Sequence, residues 1–192
     1  MNICVYGASS NEIDKRYIEA GELLGEEMAK RGHNLIFGGG AAGLMGAVAR
    51  GVTKGGGKVI GVAPSFFNVD GVFYDKCDDF HLTETMRERK QLMEDLSEAF
   101  IMTPGGIGTY EEFFEILTLK QLSRHSKAIA IFNTMGYYDH MEELMQSTAE
   151  KNFMRDASLK LYETFENPAE LLDYIEGYTE ADVDIYQMKH LK

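Results

Sequence analysis

Short apolar runs alternate along this chain with longer stretches in which apolar positions recur every three or four residues. The apolar runs are rich in β-branched residues and predict strands over 2–6, 35–37, 58–62, 80–82, 99–102, 127–132 and 161–165. The periodic stretches predict helices over 14–31, 44–54, 86–96, 138–151 and 168–175, with another helix after Thr109. Residues 65–79 show no clear period and are expected to form a loop. Because nearly continuous apolar strands alternate with helices, we expect a mainly parallel sheet with helices on both faces, a three-layer α/β sandwich.

The composition of the chain argues against some classes of binding partner. The chain has 192 residues, with 31 acidic against 19 basic side chains and a formal net charge of −12. We expect one domain over 1–177, followed by an acidic tail over 178–192. This acidity argues against nucleic acid as a partner. No window approaches the ~18 apolar residues of a membrane span, and the N-terminus lacks the pattern of a secretory signal, so we expect a cytoplasmic protein.

Cysteines and histidines offer no metal-binding or disulfide pattern. Cys4 and Cys77 are far apart and form no CxxC pair, and Cys4 is expected to be a small buried apolar residue. The five histidines form no HExxH or similar spacing. We therefore expect neither a disulfide framework nor a metal site.

A first glycine loop follows the second predicted strand, with the spacing Gly38-x-Gly40-x-x-Gly43. Backbone amides in such a loop can hold a phosphate at a helix N-terminus. A dinucleotide site also needs a carboxylate at the tip of the next strand. We expect Pro64 to end that strand after Val62, and no acidic residue is present there. This disfavours NAD and leaves two readings, a phosphate cradle or a tight strand–helix joint.

A second glycine loop runs from Pro104 to Thr109 and leads directly into Glu111 and Glu112. Its glycines leave backbone N–H groups free to surround an oxyanion, and the following helix adds partial positive charge. Thr109 and Glu112 also have the T-x-x-E spacing of a capping box. In that alternative, Glu112 stabilises its own helix and takes no part in chemistry.

A basic segment lies upstream, over 86–90. Arg89 could present a planar fork to a phosphate, and Lys90 could add a point charge. The alternative is a solvated basic turn on an exposed helix.

Taken together, these segments resemble the Lonely Guy (LOG) family. The resemblance is carried by GGGAAGLMG over 38–46, by Met86-x-x-Arg89-Lys90 and by PGGIGTYEE over 104–112, and it extends over residues 2–176. Members of this family are cytokinin riboside 5′-monophosphate phosphoribohydrolases, often mislabelled as lysine decarboxylases. The resemblance implies a modified Rossmann fold, a homodimer, and hydrolysis of the N-glycosidic bond of a nucleoside 5′-monophosphate. AMP and N6-modified AMP are the implied substrates, and no cofactor is implied.

The resemblance also implies roles for individual residues. It makes Arg89 and Glu112 the catalytic residues. The implied substrate-binding residues are Ser9, Gly39, Gly40, Asp70, Lys90, Gly105, Gly106, Ile107, Gly108, Thr109 and Thr118, although the loop around Asp70 departs from the family pattern. Arg87 stands where the family often has histidine, and Leu119 where it often has tryptophan. These two departures concern base preference more than bond cleavage.

The chemistry of glycosidic bond cleavage is consistent with a catalytic role for Glu112. Cleavage of a glycosidic C–N bond develops positive charge on the ribose, which a carboxylate at Glu112 would stabilise while orienting or deprotonating a water. Placement near a helix N-terminus is expected to keep Glu112 ionised. Three alternatives stay open: a pyridoxal-dependent decarboxylase, for which no lysine is singled out, a non-catalytic nucleotide or molybdenum-cofactor carrier, and a regulatory dimer with a vestigial site.

Overall fold

A parallel sheet forms the centre of the protein in the computed structural model, which describes residues 1–67 and 71–179. Its strands are β1 (Asn2–Tyr6), β2 (Asn34–Phe37), β3 (Val59–Pro64), β4 (Asp79–Thr83), β5 (Ala99–Met102), β6 (Ala128–Phe132) and β7 (Glu163–Phe165). They lie in the order β4-β3-β2-β1-β5-β6-β7, and every neighbouring pair is parallel. The predicted parallel α/β fold is confirmed.

Helices cover both faces of the sheet. They are α1 (Lys15–Lys30), α2 (Gly43–Lys54), α3 (Met86–Leu96), α4 (Ile107–Gln121), α5 (Asp139–Glu150) and α6 (Pro168–Gly177). Leu24 of α1, Val52 of α2 and Leu172 of α6 belong to the apolar core on one face. Met93 of α3 and Phe113 of α4 belong to the core on the other face, together with α5. The three predicted layers are therefore present.

The apolar pattern predicted where the helices and strands lie. Some observed ends differ from the predicted ones because of local turns and side chains. Pro64 does not stop β3 at Val62, because it occupies the last position of the strand, opposite Thr83 of β4. The last strand begins at Glu163 because a 3-10 turn occupies Asp156–Lys160 just before it. The expected loop over 65–79 begins with a 3-10 turn at Ser65–Phe67, and its last residue, Asp79, is the first residue of β4.

The sheet order creates one position suited to a ligand. Strands β2, β3 and β4 follow β1 on one side, whereas β5, β6 and β7 lie on the other side. The connections after β1 and β5 therefore leave the sheet in opposite directions, and a crevice opens between them beyond the carboxyl ends of the strands. Both predicted glycine loops border this crevice.

Two further sequence expectations concern the periphery of the molecule. Within residues 1–67 and 71–179, none of the helices has the length and apolar character needed to cross a bilayer. Most of the predicted acidic tail, residues 180–192, lies outside the described part of the chain. Cys4 is fully buried, as expected, and both Cys4 and Cys77 are free thiols.

Candidate active site

A cavity of about 510 Å³ occupies the crevice at the carboxyl ends of β1, β2 and β5. Of the residues predicted to form the site, it is lined by Ser9, Gly40, Arg89, Gly106, Ile107, Gly108, Thr109 and Glu112. Residues far apart in the sequence thus meet around one space, and its volume is within the range of small-molecule sites.

Arg89 lies at the wall of this cavity and is almost entirely buried. Its Nη1 donates to Oε1 of Glu112 over 2.6 Å, and its Nε donates to the carbonyl oxygen of Val62 over 3.2 Å. A Cβ atom at Gly38 would lie 2.6 Å from Nη2 of Arg89, so the glycine makes room for the guanidinium. The alternative of an exposed basic turn is therefore wrong for Arg89, although the neighbouring Arg87 is exposed.

Glu112 does not belong to a capping box. Helix α4 begins at Ile107 with Gly106 as its N-cap, and no side chain caps it, so Thr109 already lies inside the first turn. The same T-x-x-E spacing does form a capping box at the start of α3, where Thr85 and Glu88 satisfy each other's backbone amides. The spacing is identical in the two segments, and only the position of the helix start separates them.

Burial and the adjacent Arg89 are the main influences on the ionisation of Glu112. Burial raises the pKa of Glu112, and the adjacent Arg89 guanidinium opposes that rise. The expected influence of the α4 dipole is small, because it fades beyond the first turn and Glu112 lies in the second. Without Arg89, this carboxyl group would be protonated more readily.

The start of α4 offers unused hydrogen-bond donors to the cavity. The first turn of any helix has N–H groups without intrahelical acceptors. Here no side chain caps them, no acidic residue lies in the first turn, and Gly106 and Gly108 are exposed. This combination of open amides and a positive helix end suits a phosphate group.

The start of α2, in contrast, is already occupied by protein contacts. The amide of Gly43 donates to Oδ1 of Asn11 over 2.8 Å, and the amide of Met45 donates to the carbonyl of Ala8 over 3.0 Å. Gly39 is buried and turned away from the cavity lining, and its carbonyl accepts a bond from the amide of Tyr74. Of the two readings of the first glycine loop, these contacts favour the tight strand–helix joint.

Some predicted site residues lie elsewhere. Lys90 forms ion pairs with Glu111 at 2.5 Å and Glu115 at 2.6 Å, and lines a neighbouring groove of about 470 Å³ between α3 and α4, which shares Glu112 with the cavity. Thr118 is exposed on α4 and is absent from the lining of the cavity. Gly105 is buried just behind the cavity wall, and Asp70 falls outside the residues that the structure describes.

Sequence reasoning missed several groups that shape the site. The carbonyl of Val62 orients Arg89, and the hydroxyl of Tyr137 donates to the carbonyl of Gly105 over 2.8 Å. A backbone carbonyl leaves no signal in a sequence. In the part of the chain that the structure covers, no three His, Cys, Asp or Glu side chains are grouped to hold a metal ion.

Comparison with known proteins identifies the family. A family described as "Possible lysine decarboxylase" matches residues 45–175. A probable cytokinin riboside 5′-monophosphate phosphoribohydrolase, LOGL6 of Oryza sativa subsp. japonica, is 34% identical over 177 residues, covering 92% of this chain and 71% of its own length. Cytokinin riboside 5′-monophosphate phosphoribohydrolase LOG2 of Arabidopsis thaliana is 31% identical over 176 residues, covering 92% of this chain and 83% of the relative.

A solved structure supports the fold. The Moco carrier protein of Chlamydomonas reinhardtii superposes with a TM-score of 0.68 over 91% of this chain and 94% of its own, at 22% identity. At that identity the similarity concerns the arrangement of the backbone alone. The sequence relatives identify the family as well as the fold, because their identity extends over nearly the whole chain. As its motifs predicted, the chain belongs to the LOG family.

Proposed function

We propose that this protein hydrolyses the N-glycosidic bond of a nucleoside 5′-monophosphate, AMP or an N6-modified AMP, releasing the free base and ribose 5-phosphate. One contact supports this activity above all: the 2.6 Å pair between Arg89 and Glu112 at the wall of a cavity that also contains the open start of α4. The names of the sequence relatives, which are phosphoribohydrolases, support the same reaction.

The residues that line the cavity suit both the phosphate and the base of such a substrate. The amides at Gly106, Gly108 and Thr109 would hold the 5′-phosphate, with Arg89 contributing positive charge. On other sides the lining is apolar, with Phe67, Phe73, Met45 and Met86 among its residues. An apolar and aromatic lining suits a purine base. Binding energy from the phosphate would then position the sugar against Glu112.

The reaction needs one carboxylate and one water. The C1′–N bond breaks and its electron pair leaves with the base, while the water oxygen bonds to C1′. Glu112 accepts a proton from that water, and the base takes up a proton, so the sum is nucleotide plus water giving base plus ribose 5-phosphate. The Glu112 carboxylate also stabilises the positive charge that develops on the ribose. Arg89 supports this role because it favours the ionised form of Glu112.

The description "Possible lysine decarboxylase" suggests a different reaction. Decarboxylation of lysine normally relies on pyridoxal phosphate held by a lysine as a Schiff base. Among the residues that the structure describes, no lysine lines the cavity. Lys90 is tied to Glu111 and Glu115 in the neighbouring groove. The residues present therefore do not fit that cofactor, and hydrolysis is the better supported reaction.

A product analysis tests the proposal. The protein is incubated with AMP and with N6-prenylated AMP, and free base and ribose 5-phosphate are quantified by chromatography and mass spectrometry. We expect both products in equal amounts. The matching nucleosides serve as controls, and without a 5′-phosphate they are expected to react far more slowly. Tight binding of an unchanged nucleotide would instead support a carrier, and neither binding nor turnover would support a vestigial site.

Two further properties remain predictions, the oligomeric state from the family resemblance and the location from the sequence pattern. We propose a homodimer, to be measured by light scattering coupled to size-exclusion chromatography. A mass of one chain, about 21.6 kDa, would contradict it. A cytoplasmic location is also proposed, to be checked by fractionation of the source cells.

A further inference from the structure

Three successive carbonyl groups between β5 and α4 are held by donors from outside that loop. The carbonyl of Thr103 accepts from the hydroxyl of Tyr138 over 2.8 Å, and that of Gly105 accepts from the hydroxyl of Tyr137 over 2.8 Å. Between them, the carbonyl of Pro104 accepts from the amide of Ala8 over 3.0 Å. The loop that leads into the start of α4 is therefore fixed from two neighbouring loops.

The bonds from Tyr137 and Tyr138 differ in whether the carbonyl that they hold is followed by a backbone N–H group. In a trans peptide unit, the carbonyl and the following N–H point in opposite directions, and no cis peptide bond occurs in the described residues. A bond that holds the Gly105 carbonyl therefore directs the Gly106 amide the opposite way, and Gly106 lines the cavity. The Thr103 carbonyl precedes Pro104, which has no N–H, so the bond from Tyr138 to this carbonyl orients no amide towards the cavity.

Tyr137 is itself held firmly. Its ring meets the ring of Tyr17 edge to face at 5.7 Å, and the ring of Tyr138 at 4.9 Å. Met135, two residues before Tyr137, has a φ of 57°, a conformation that residues other than glycine rarely adopt. Such backbone persists where surrounding contacts impose it. Here Asn133 supplies them, since its side chain accepts from the Tyr138 amide over 2.6 Å.

We infer that Tyr137 is a positioning residue, which turns the Gly106 amide towards a phosphate monoester in the cavity through its hydrogen bond to the Gly105 carbonyl. This inference rests on the proposed function, because it takes the start of α4 as the phosphate site. Tyr137 itself acts on the loop from behind and contacts no reacting atom.

Two matched variants test this role, since Tyr137→Phe and Tyr138→Phe each remove one hydroxyl that donates to a carbonyl of this loop. Binding of ribose 5-phosphate is measured by calorimetry, and KM and kcat are measured with the nucleotide that wild type cleaves best. Tyr137→Phe should raise both the Kd for ribose 5-phosphate and KM about three- to tenfold, the usual effect of one neutral hydrogen bond. Its kcat should stay close to that of wild type, because the amides of Gly108 and Thr109 still hold the phosphate and so keep the sugar in position.

Tyr138→Phe should behave differently. Tyr138 is fully buried, so its loss leaves the Thr103 carbonyl without this donor and should lower the melting temperature. Its Kd for ribose 5-phosphate should stay near the wild-type value, because the amide beside its hydroxyl is that of Gly105, which does not line the cavity. This contrast separates positioning of an amide from general loosening of the loop.

The outcomes distinguish this inference from the proposed function. An unchanged Kd in Tyr137→Phe overturns the inference, as does an equal rise in both variants. If wild type binds ribose 5-phosphate but releases no base, the proposed hydrolysis fails, while the ratio of Kd values still tests Tyr137. If wild type does not bind ribose 5-phosphate at all, the inference is overturned whatever the measurement of base release shows.

Discussion

The guanidinium of Arg89 and the carboxylate of Glu112 lie 2.6 Å apart, although they come from different helices and are 23 positions apart in the chain. Their side chains are only 10% and 11% exposed. A buried charge without a partner is costly, so each residue makes the ionised form of the other tolerable. The same contact therefore affects both the stability of the fold and the chemistry of the cavity.

Replacement of Glu112 by glutamine should separate binding from turnover. The amide keeps the size of the side chain but cannot accept a proton from water, so we expect kcat to fall at least about 100-fold. Binding of ribose 5-phosphate should change little, because the amides that we assign to the phosphate are those of Gly106, Gly108 and Thr109. Base release and calorimetry measure the two effects.

A matched control lies one turn further along α4. Glu115→Gln makes the same chemical change at a residue that pairs with Lys90 and lies outside the cavity lining. It should retain turnover close to that of wild type. Near-normal base release by Glu112→Gln would show that the reaction does not need the Glu112 carboxylate.

Replacement of Arg89 by methionine should destabilise the protein as well as abolish binding and turnover. It leaves the Glu112 carboxylate buried and unpaired, which should cost about 3 kcal/mol of unfolding free energy. The double variant Arg89→Met/Glu112→Gln removes both charges and should be more stable than Arg89→Met alone. Urea unfolding of the four proteins completes the cycle. Additive changes would show that the pair is not coupled in solution.

The pH dependence of catalysis should reflect the buried environment of Glu112. Burial raises the pKa of Glu112, and the proposed reaction needs its ionised form. As the pH falls through that raised pKa, the carboxylate is protonated and kcat/KM should decrease. The acidic limb should therefore lie above the ordinary glutamate value of 4.5. A profile of kcat/KM against pH measures it, and a limb at or below the ordinary value would contradict this prediction.

Lys120 should make stability depend on pH in the alkaline range. It is fully buried, its Nζ donates to the carbonyl of Leu161 over 2.8 Å, and burial lowers its pKa from 10.5 to about 8. Between these two values the unfolded chain holds a proton that the folded protein has released, so the contribution of Lys120 to stability rises with pH and is lost as the pH falls through 8. The total change is up to about 3 kcal/mol.

The variant Lys120→Met tests this dependence. The difference in unfolding free energy between wild type and Lys120→Met should grow in favour of wild type from pH 8 to pH 10.5. Lys151→Met, at an exposed lysine, should show no such trend. Parallel curves for wild type and Lys120→Met would mean that Lys120 titrates normally.

Alanine at Gly108 should weaken substrate binding without harming the fold. A Cβ atom there would meet nothing within 4 Å, and the position lies in the first turn of α4 facing the cavity. Stability should be unchanged or higher by up to about 1 kcal/mol, while KM rises because the methyl group occupies space at the phosphate site.

Gly105→Ala provides the contrast. Its Cβ would lie 2.1 Å from Oγ1 of Thr109, so this variant should lose stability. Melting temperatures and KM values for both variants are compared. An unchanged KM in Gly108→Ala would argue against a phosphate at this helix start.

Much of the fold was predictable because the signals are local. The apolar run over 99–102 predicted β5, and the three- and four-residue spacing that follows predicted α4. The start of α4 was less predictable. Gly106 and Ile107 read as part of a glycine loop, and only the observed hydrogen bonds show that the helix begins there, ahead of Thr109.

The sequence by itself determined the α/β class, the order of the elements, the two glycine loops after strands and the motifs of the family. The tertiary structure alone decided that Arg89 is buried against Glu112, that the amides of α2 are occupied while those of α4 are open, and that Lys90 pairs with Glu111 and Glu115 without lining the cavity. The reason is the distance along the chain over which each kind of interaction acts. Periodicity reports which face of a segment is buried, whereas the partner of a charged side chain depends on which strands become neighbours, and here β1 lies beside β5.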